Sequence, residues 1–234
     1  MKYLVQLFGA MIVATLMWPS VSIAQADIAV DTASIQKRMG GFDDPFFQNS
    51  SRAGINVMSL CWAKKRPAQA KEALSHLYMG NGQTRSLKKF FKLFRYDSSC
   101  MLSKNIGLNT PSATVIGGMA EYFVLLQHGS EAMDTLGNMA EADWQNIFMR
   151  PRNGSETFGK CVVQADRMKV FGLINTVPDT QPESAAFKAL TPLLGQCLAE
   201  GDTISFNKNA LRANLAFSLY RAVYQRKKML GANN

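Results

Sequence analysis

Four cysteines set the strongest constraint on how this chain can fold. They are Cys61, Cys100, Cys161 and Cys197, and none is spaced as Cys-x-x-Cys. That spacing gives no support to a redox motif or a zinc knuckle, so we predict structural disulfides formed in an oxidising compartment. Four cysteines allow three connectivities, and their positions alone do not select one.

The first 26 residues have the three parts of a secretory signal peptide. Lys2 gives a positive start, residues 3–18 are almost wholly apolar, and Ala24-Gln25-Ala26 is a small-x-small cleavage site. The apolar run is shorter than the ~20 residues of a spanning helix, and an uncleaved membrane anchor is the alternative. We predict an exported protein, periplasmic or secreted, whose mature chain starts at Asp27, with cleavage after Ala24 as the near alternative.

The predicted mature chain is strongly basic. Removal of 26 of the 234 residues leaves 208, and because the removed segment holds one Lys and no acid, the net charge falls from +9 to +8. This charge favours acidic partners or anionic surfaces and says nothing about the fold. No later segment could span a bilayer, since the longest apolar run, residues 115–126, is too short and contains Glu121.

Helical periodicity dominates the mature sequence. In the clearest case Leu87, Phe90, Phe91 and Phe94 fall at i, i+3, i+4 and i+7. We predict helices over residues 53–63, 67–78, 85–96, 110–128, 131–140, 141–149, 156–163, 183–198 and 209–229, and one after Asp166. No region has the period-two alternation of a sheet, so the predicted fold class is all-α.

Cap and break residues set the ends of these helices. Thr110 precedes Pro111 as an N-cap, and Gly129 follows the last turn of the same helix. Asp166 caps the helix that follows residues 156–163, residues 178–182 read as a turn, and Pro192 predicts a kink.

Residues 27–51 are predicted to form a largely irregular N-terminal arm, because they are rich in turn-forming Gly, Asp, Asn and Ser. We expect its aromatic residues Phe42, Phe46 and Phe47 to fold back onto the core, with a binding role as the alternative. The clearest later break is Pro151 to Ser155. The predicted domains are the signal peptide 1–26, the arm 27–51, a first helical unit with connecting helices 52–150, and a second unit 156–230.

The segment from Cys61 to Phe123 reads as a diverged copy of the segment from Cys161 to Tyr220. Aligned from the first cysteine, Leu74 meets Ile174, and both copies then turn. The cysteine separations are 39 and 36, so one three-residue gap joins the two frames. We predict two pseudo-repeated multi-helix units packed together, and the alternative is two unrelated helical segments with paired cysteines.

The repeat favours one disulfide pattern, Cys61 with Cys100 and Cys161 with Cys197. Each bond closes a loop of about 40 residues, which stabilises the fold by about 4 kcal/mol in the chain-entropy model before strain.

The second copy carries the pattern Cys-Val-Val (161–163), Cys-Leu-x-x-Gly (197–201), Phe-Asn (206–207), Leu-Arg (211–212) and Leu-Ala-x-x-Leu-Tyr-Arg (215–221). Over about 60 residues this pattern resembles that of uncharacterised small secreted bacterial helical proteins with a two-cysteine repeat. The first half departs from it apart from the cysteines. The resemblance implies no activity.

Common catalytic and metal-binding motifs are absent from the sequence. It has no GxSxG, HExxH or P-loop, and no GxGxxG motif that follows a strand. Ordinary packing and helix-end effects account for His76 and His128. Glu121 and His128 are seven residues apart on one predicted helix and so share a face, but a metal site wants three or four ligands. We therefore predict no metal and no cofactor.

Positive charge on helices is the most suggestive functional feature. Lys64-Lys65-Arg66 leads into one helix and Arg226-Lys227-Lys228 lies near the C-terminus. On the polar side of the Phe-rich helix, the candidate binding residues are Arg85, Lys88, Lys89, Lys92 and Arg95. A solvated basic face over an apolar stripe is the alternative to a binding surface.

These patterns predict a non-enzymatic envelope or periplasmic binding or interaction protein that uses its basic face. The predicted partner is an anionic envelope surface, lipid or polymer, or an acidic protein. Nucleic acid is not predicted, because the chain is exported and shows no nucleic-acid-binding module. The alternative is a secreted enzyme whose site is assembled from dispersed residues.

Overall fold

The computed structural model describes ten α-helices. The residues that it describes are Arg38, 44–76, Lys92, 98–100, 112–129, 131–137, 139–147, 153–198 and 207–231. No strand occurs among them, so the all-α prediction is confirmed. The predicted signal peptide lies outside the described residues.

The helices follow one another with short connections. They are α1 (Pro45–Asn49), α2 (Ser51–Lys65), α3 (Pro67–His76), α4 (Ser112–Tyr122), α5 (Glu131–Gly137), α6 (Glu141–Ile147), α7 (Gly154–Ala165), α8 (Arg167–Asn175), α9 (Gln181–Gln196) and α10 (Lys208–Gly231). A 3₁₀ turn covers Ser98–Cys100, and a π-helix covers Phe123–His128 directly after α4.

Side-chain caps explain where several helices begin. The Oγ atom of Ser50 accepts a hydrogen bond from the Ala53 amide at 3.1 Å, which starts α2. Asp166 caps α8 as predicted, with its Oδ1 atom 2.9 Å from the Lys169 amide nitrogen. Asn153 caps α7, so this helix begins at Gly154, slightly before the predicted start.

Two local predictions differ from the structure. Part of the arm that was predicted to be irregular forms α1, because Asp44 caps it and Pro45 stands at its first position. Of the arm's aromatic residues that the structure describes, Phe47 is buried and Phe46 is partly exposed. Thr180 caps α9, so Pro182 lies in the first turn of the helix and not in the predicted turn.

The helix predicted over residues 110–128 changes its winding part of the way along. It is α-helical from Ser112 to Tyr122 and π-helical from Phe123 to His128. It ends at Gly129, as predicted, where a φ of 53° favours glycine. The π segment was not predicted, because hydrophobic periodicity does not distinguish it from a continuation of the α-helix.

The core lies around α2, α4 and α10. Helix α4 packs most extensively against α10 and then against α2. Ten consecutive residues of α10, from Leu211 to Tyr220, are buried, so this helix is enclosed on all sides over that stretch. The largest fully buried side chains include Trp62, Phe123, Phe171 and Phe217.

Close backbone contact explains two glycines in α4. A Cβ atom at Gly117 would overlap the Cα atom of Ala213 in α10. One at Gly118 would lie 2.5 Å from the Cβ atom of Ser59 in α2. Both contacts are closer than side-chain atoms tolerate, so α4 needs glycine at each position to reach its two neighbours.

Two disulfides join Cys61 to Cys100 and Cys161 to Cys197, which confirms the predicted pairing. The Cα atoms are 5.7 and 5.6 Å apart, within the usual range for disulfides. The chain has no free cysteine, and each bond stays within one half of the chain. No helix among the described residues is long and apolar enough to cross a membrane.

Two contacts of the first half have counterparts 100 residues later in the second half. Arg66, between α2 and α3, donates its amide to the carbonyl of Trp62, and Asp166, between α7 and α8, donates to Val162. Ser59 of α2 lies against Gly118 of α4, and Gly159 of α7 lies against Ser218 of α10. One residue at each of these helix crossings is therefore glycine.

Candidate functional site

The structure describes one of the five candidate binding residues. Lys92 is helical and exposed to solvent. The other four lie outside the described residues: Arg85, Lys88, Lys89 and Arg95.

Three basic residues of α10 are neutralised by acidic side chains. Arg221 pairs with Glu156 of α7 at 3.0 Å, and Arg226 pairs with Asp143 of α6 at 2.9 Å. Lys227 pairs with the exposed Glu131 of α5 at 2.8 Å and lowers the pKa of that carboxyl group. These cations tie α10 to its neighbours, so the charges of Arg226 and Lys227 in the C-terminal basic cluster are neutralised.

At the junction of α2 and α3, basic residues outnumber acidic residues in the local sequence. Residues 61–76 carry four cations, Lys64, Lys65, Arg66 and Lys71, against the single acid Glu72. The side chains of residues 64 to 66 are exposed. The surplus positive charge in this part of the chain therefore faces solvent.

A shallow opening of about 490 Å³ lies at this junction, and we call it the basic groove. It is lined by Lys65, Arg66, Pro67, Ala68, Gln69 and Ser99. Its volume is in the range of small-molecule binding sites, which is about 300–1,000 Å³. Two cationic side chains line it, and no acidic side chain is among the described residues that do.

A disulfide closes one wall of the basic groove. Cys61 on α2 is bonded to Cys100, which brings the neighbouring Ser99 to the end of α2. The Nζ atom of Lys65 donates to the Ser99 carbonyl at 3.2 Å. The last turn of α2 also carries Lys64, and cations are favourable there because of the negative end of the helix dipole.

A second candidate is a buried cluster of charges between the two halves. At its centre is Arg212 of α10, only 4 % exposed. Its Nε and Nη2 atoms donate to the two carboxylate oxygens of Glu121 at 2.7 and 3.0 Å, and its Nη1 donates to Glu183 at 3.1 Å. It also donates to the carbonyls of Leu173, Ile174 and Thr176.

These contacts set the protonation of Arg212. Burial acts to lower its pKa, but the carboxylates of Glu121 and Glu183 outweigh burial, and the pKa is raised. The guanidinium of Arg212 therefore stays charged inside the protein.

The cluster extends to the surface through Arg52 of α2. Its guanidinium makes a bidentate pair with Glu183 at 2.9 and 2.9 Å, and it also bonds Asp179 at 2.6 Å. Its Nε atom donates to Asn209, and Ser50 donates to Asp179. This edge connects the start of α2 to the start of α9.

Arg38, from the predicted N-terminal arm, completes the cluster. It is fully buried, and its Nη1 atom donates to Asn56 at 3.3 Å, to Glu121 at 3.2 Å and to the Ile174 carbonyl at 3.4 Å. With Arg52 and Arg212 it balances the three carboxylates of the cluster, those of Glu121, Glu183 and Asp179. A balanced buried cluster avoids the cost of an unpaired buried charge.

The carboxylates of Glu121 and Glu183 are not open to a substrate, since each is only 1 % exposed. The cleft between Arg52, Glu121 and Arg212 has a volume of about 10 Å³, room for about one water molecule. Among the described residues no group of three or more His, Cys, Asp or Glu side chains could hold a metal ion.

Glu121 and His128 do not act together as a pair. Glu121 is 1 % exposed and bonded within the charge cluster, whereas His128 is half-buried at the end of the π-helix. Burial and the positive charges of Lys227 and Lys71 lower the pKa of His128, and Glu131 raises it by less. The change from α to π winding between residues 121 and 128 breaks the shared face that a continuous α-helix would give.

Comparisons with known families, curated proteins and solved structures find no significant match. The resemblance of residues 161–221 to small secreted bacterial proteins therefore stays a prediction.

The charge cluster was missed from the sequence, although two signals pointed to it. Glu121 stands inside the longest apolar run of the chain, and Arg212 stands among the apolar residues of α10. A charge in such a setting is usually paired when it is buried. Its partner cannot be read from the sequence, because these two residues are 91 positions apart.

Proposed function

We propose that this is an exported, non-enzymatic binding protein, periplasmic or secreted, whose basic groove binds an anionic envelope surface. The observation that carries the proposal is the opening of about 490 Å³ at the junction of α2 and α3, lined by Lys65 and Arg66. A site of this kind attracts phosphate or carboxylate groups, because their charge is opposite and both side chains are hydrogen-bond donors.

Exposure and local sequence charge support the choice of this groove. Arg221, Arg226 and Lys227 at the other end of the molecule each have an acidic partner. At the groove, Lys64 is exposed, and the surplus of cations is not matched by acidic residues nearby in the sequence.

The sequence that leads into Ser98–Cys100 is also rich in positive charge. Residues 82–97 contain five cations and one acid, and they lead directly into Ser98–Cys100, which the disulfide fixes beside α2. The candidate residues Arg85, Lys88, Lys89, Lys92 and Arg95 therefore precede the wall of the groove in the chain. We propose that they extend the same binding surface.

We also propose that the two halves derive from duplication of one helical unit. The matching backbone bonds donated by Arg66 and Asp166 support this. The two helix crossings support it as well: each pairs one Ser with one Gly, with Ser on α2 in the first half and on α10 in the second. Each unit would then have its own disulfide, and α4 would correspond to α10.

Vesicle co-sedimentation tests the binding proposal. The mature protein should bind vesicles of phosphatidylglycerol and phosphatidylcholine at low salt, and vesicles of phosphatidylcholine alone much more weakly. Each cation near an anionic surface contributes about 1 kcal/mol. The triple variant Lys64→Glu, Lys65→Glu and Arg66→Glu should therefore lower affinity at least ~100-fold.

A charge-matched control separates the groove from overall charge. The triple variant Lys188→Glu, Lys208→Glu and Lys228→Glu changes net charge equally at exposed positions of the second half. It should retain most of the binding. Equal loss in both triple variants, or retention in both, would overturn the proposed groove. A third variant, Lys88→Glu, Lys89→Glu and Lys92→Glu, tests whether the surface extends into residues 82–97.

A further inference from the structure

At the end of the π-helix, charged groups from three helices lie around one histidine. His128 is the last residue of the π-helix and is half-buried, so part of its ring remains open to solvent. Among the described residues, the charged groups that face it are Lys71 of α3, Glu131 of α5 and Lys227 of α10. Glu131 accepts a bond from Lys227 at 2.8 Å. We call these four residues the His128 cluster.

The net charge of the His128 cluster depends on the protonation of its histidine. While the imidazole is neutral, the two lysines and Glu131 leave one positive charge, and protonation of the imidazole adds a second. Histidine is the side chain whose ordinary pKa places its charge change between about pH 5 and pH 8. Burial and the two lysines lower the pKa of His128, so the ring is neutral at neutral pH and becomes charged in mildly acidic solution.

Helix α3 connects the His128 cluster to the basic groove. The first turn of α3, from Pro67 to Gln69, lines the groove, and Lys71 follows on the next turn. The four residues from Pro67 to Lys71 advance by only ~6 Å along the helix axis. The Nζ atom of Lys71 lies 5.5 Å from the centre of the Phe123 ring, so this side chain reaches from α3 to the π-helix. The positive charge at the groove and that of the cluster therefore lie on neighbouring parts of the molecule.

Protonation of His128 also changes how well Lys227 is neutralised. The positive charge on His128 attracts the Glu131 carboxylate and helps to lower its pKa, while it repels both lysines. Glu131 then serves two cations in place of one, so less of the charge of Lys227 is compensated. An approaching anion consequently meets a more positive surface at low pH than at neutral pH.

We propose that His128 makes anion binding at the basic groove pH-dependent, because its protonation in mildly acidic solution adds a positive charge beside the groove and raises affinity for an anionic envelope surface. This inference rests on the proposed function of the groove. The sign follows from linkage: a ligand that binds the protonated form more tightly gains affinity as the pH falls. One added cation near an anionic surface corresponds to an affinity about 5-fold higher.

Vesicle co-sedimentation at two pH values tests this inference on the mature chain. The vesicles contain phosphatidylglycerol and phosphatidylcholine at about 10 mM salt, where the Debye length of ~30 Å lets a charge at His128 act at the groove. The wild type should bind about 5-fold more tightly at about pH 5 than at about pH 7.5. His128→Gln is neutral at both pH values and should lose most of this change.

His76→Gln is the matched control, since His76 is the only other histidine of the chain. It should keep the response of the wild type. Any carboxylate that becomes protonated at the lower pH does so in all of these proteins, so the difference between the two variants isolates the contribution of His128.

His128→Lys provides a test in the opposite direction, because it carries the added charge at both pH values. It should bind at about pH 7.5 nearly as tightly as the wild type binds at about pH 5, and its affinity should depend little on pH. This gain in binding cannot arise from a loss of folding. Circular dichroism at both pH values checks that every variant has the helical content of the wild type.

The possible results separate this inference from the proposed function. If the wild type does not bind these vesicles at either pH, the proposed function is wrong and the inference fails with it. If the wild type binds but its affinity does not rise at the lower pH, or rises equally in His128→Gln, only the role of His128 is overturned.

Discussion

The crossing of α2 and α4 gives a quantitative test of the packing argument. In Gly118→Ser, the new Cβ atom would lie 2.5 Å from the Cβ atom of Ser59 and 3.0 Å from its Oγ atom. The nearer atom is fixed to the backbone of α2, so the contact cannot be relieved by a side-chain rotation alone. Overpacking of this kind costs about 1–3 kcal/mol.

Helix propensity partly offsets the clash, because Ser is better than Gly inside a helix by about 0.5 kcal/mol. We therefore expect Gly118→Ser to lower the free energy of unfolding by about 0.5–2.5 kcal/mol, which corresponds to a Tm lower by about 1–10 °C.

The compensating variant is Ser59→Gly with Gly118→Ser, which recreates the arrangement of Gly159 and Ser218 in the second half. The propensity changes cancel and the clash is removed, so its stability should return to within about 0.5 kcal/mol of the wild type. Gly172→Ser is the control, since a Cβ atom there meets nothing within 4 Å, and it should not destabilise.

Urea unfolding followed by circular dichroism, with the disulfides intact, measures the wild type, Gly118→Ser, Ser59→Gly, the double variant and Gly172→Ser. The reasoning is refuted if Gly118→Ser is as stable as the wild type, or if the double variant loses the sum of the two single effects.

Three further perturbations test other parts of the structure. Replacing Cys161 and Cys197 by Ala should cost up to about 4 kcal/mol in urea unfolding, and retained stability would show that this bond adds little. Glu121→Gln should cost about 3–5 kcal/mol, because Arg212 keeps a buried charge without its main partner; a loss below about 1 kcal/mol would contradict this. NMR titration should place the pKa of His128 below about 6.5, the value of an unperturbed histidine. Because the folded pKa is lowered, its contribution to stability is complete above pH ~6.5 and falls as the pH drops towards the folded pKa, and His128→Gln should remove that part of the pH dependence.

Features encoded locally were predictable from the sequence. The cap at Asp166 and the end at Gly129 depend on residues within one turn of the helix boundary, and both were predicted. The disulfide pairing followed from the similar spacing of the two cysteine pairs.

Features that depend on contacts between distant residues were not predictable. The bonds of Arg38 to Glu121 and to Ile174 span 83 and 136 positions, and no local pattern links these residues. The π-helix after Tyr122 also escaped prediction, because its apolar residues fit an α-helical pattern equally well. The basic groove was predicted only in part: the sequence shows the cations at residues 64–66, but it does not show that Ser99 lies beside them.

The placement of the disulfides has a consequence for a cleaved chain. One disulfide lies before the segment between Ile147 and Asn153 and the other lies after it, so neither disulfide spans this segment. A single proteolytic cut there would leave two separately cross-linked fragments with no covalent bond between them. Only noncovalent contacts, among them those of α4 with α10 and the charge cluster, would then join the fragments, so the nicked protein would behave as a heterodimer whose stability depends on its concentration.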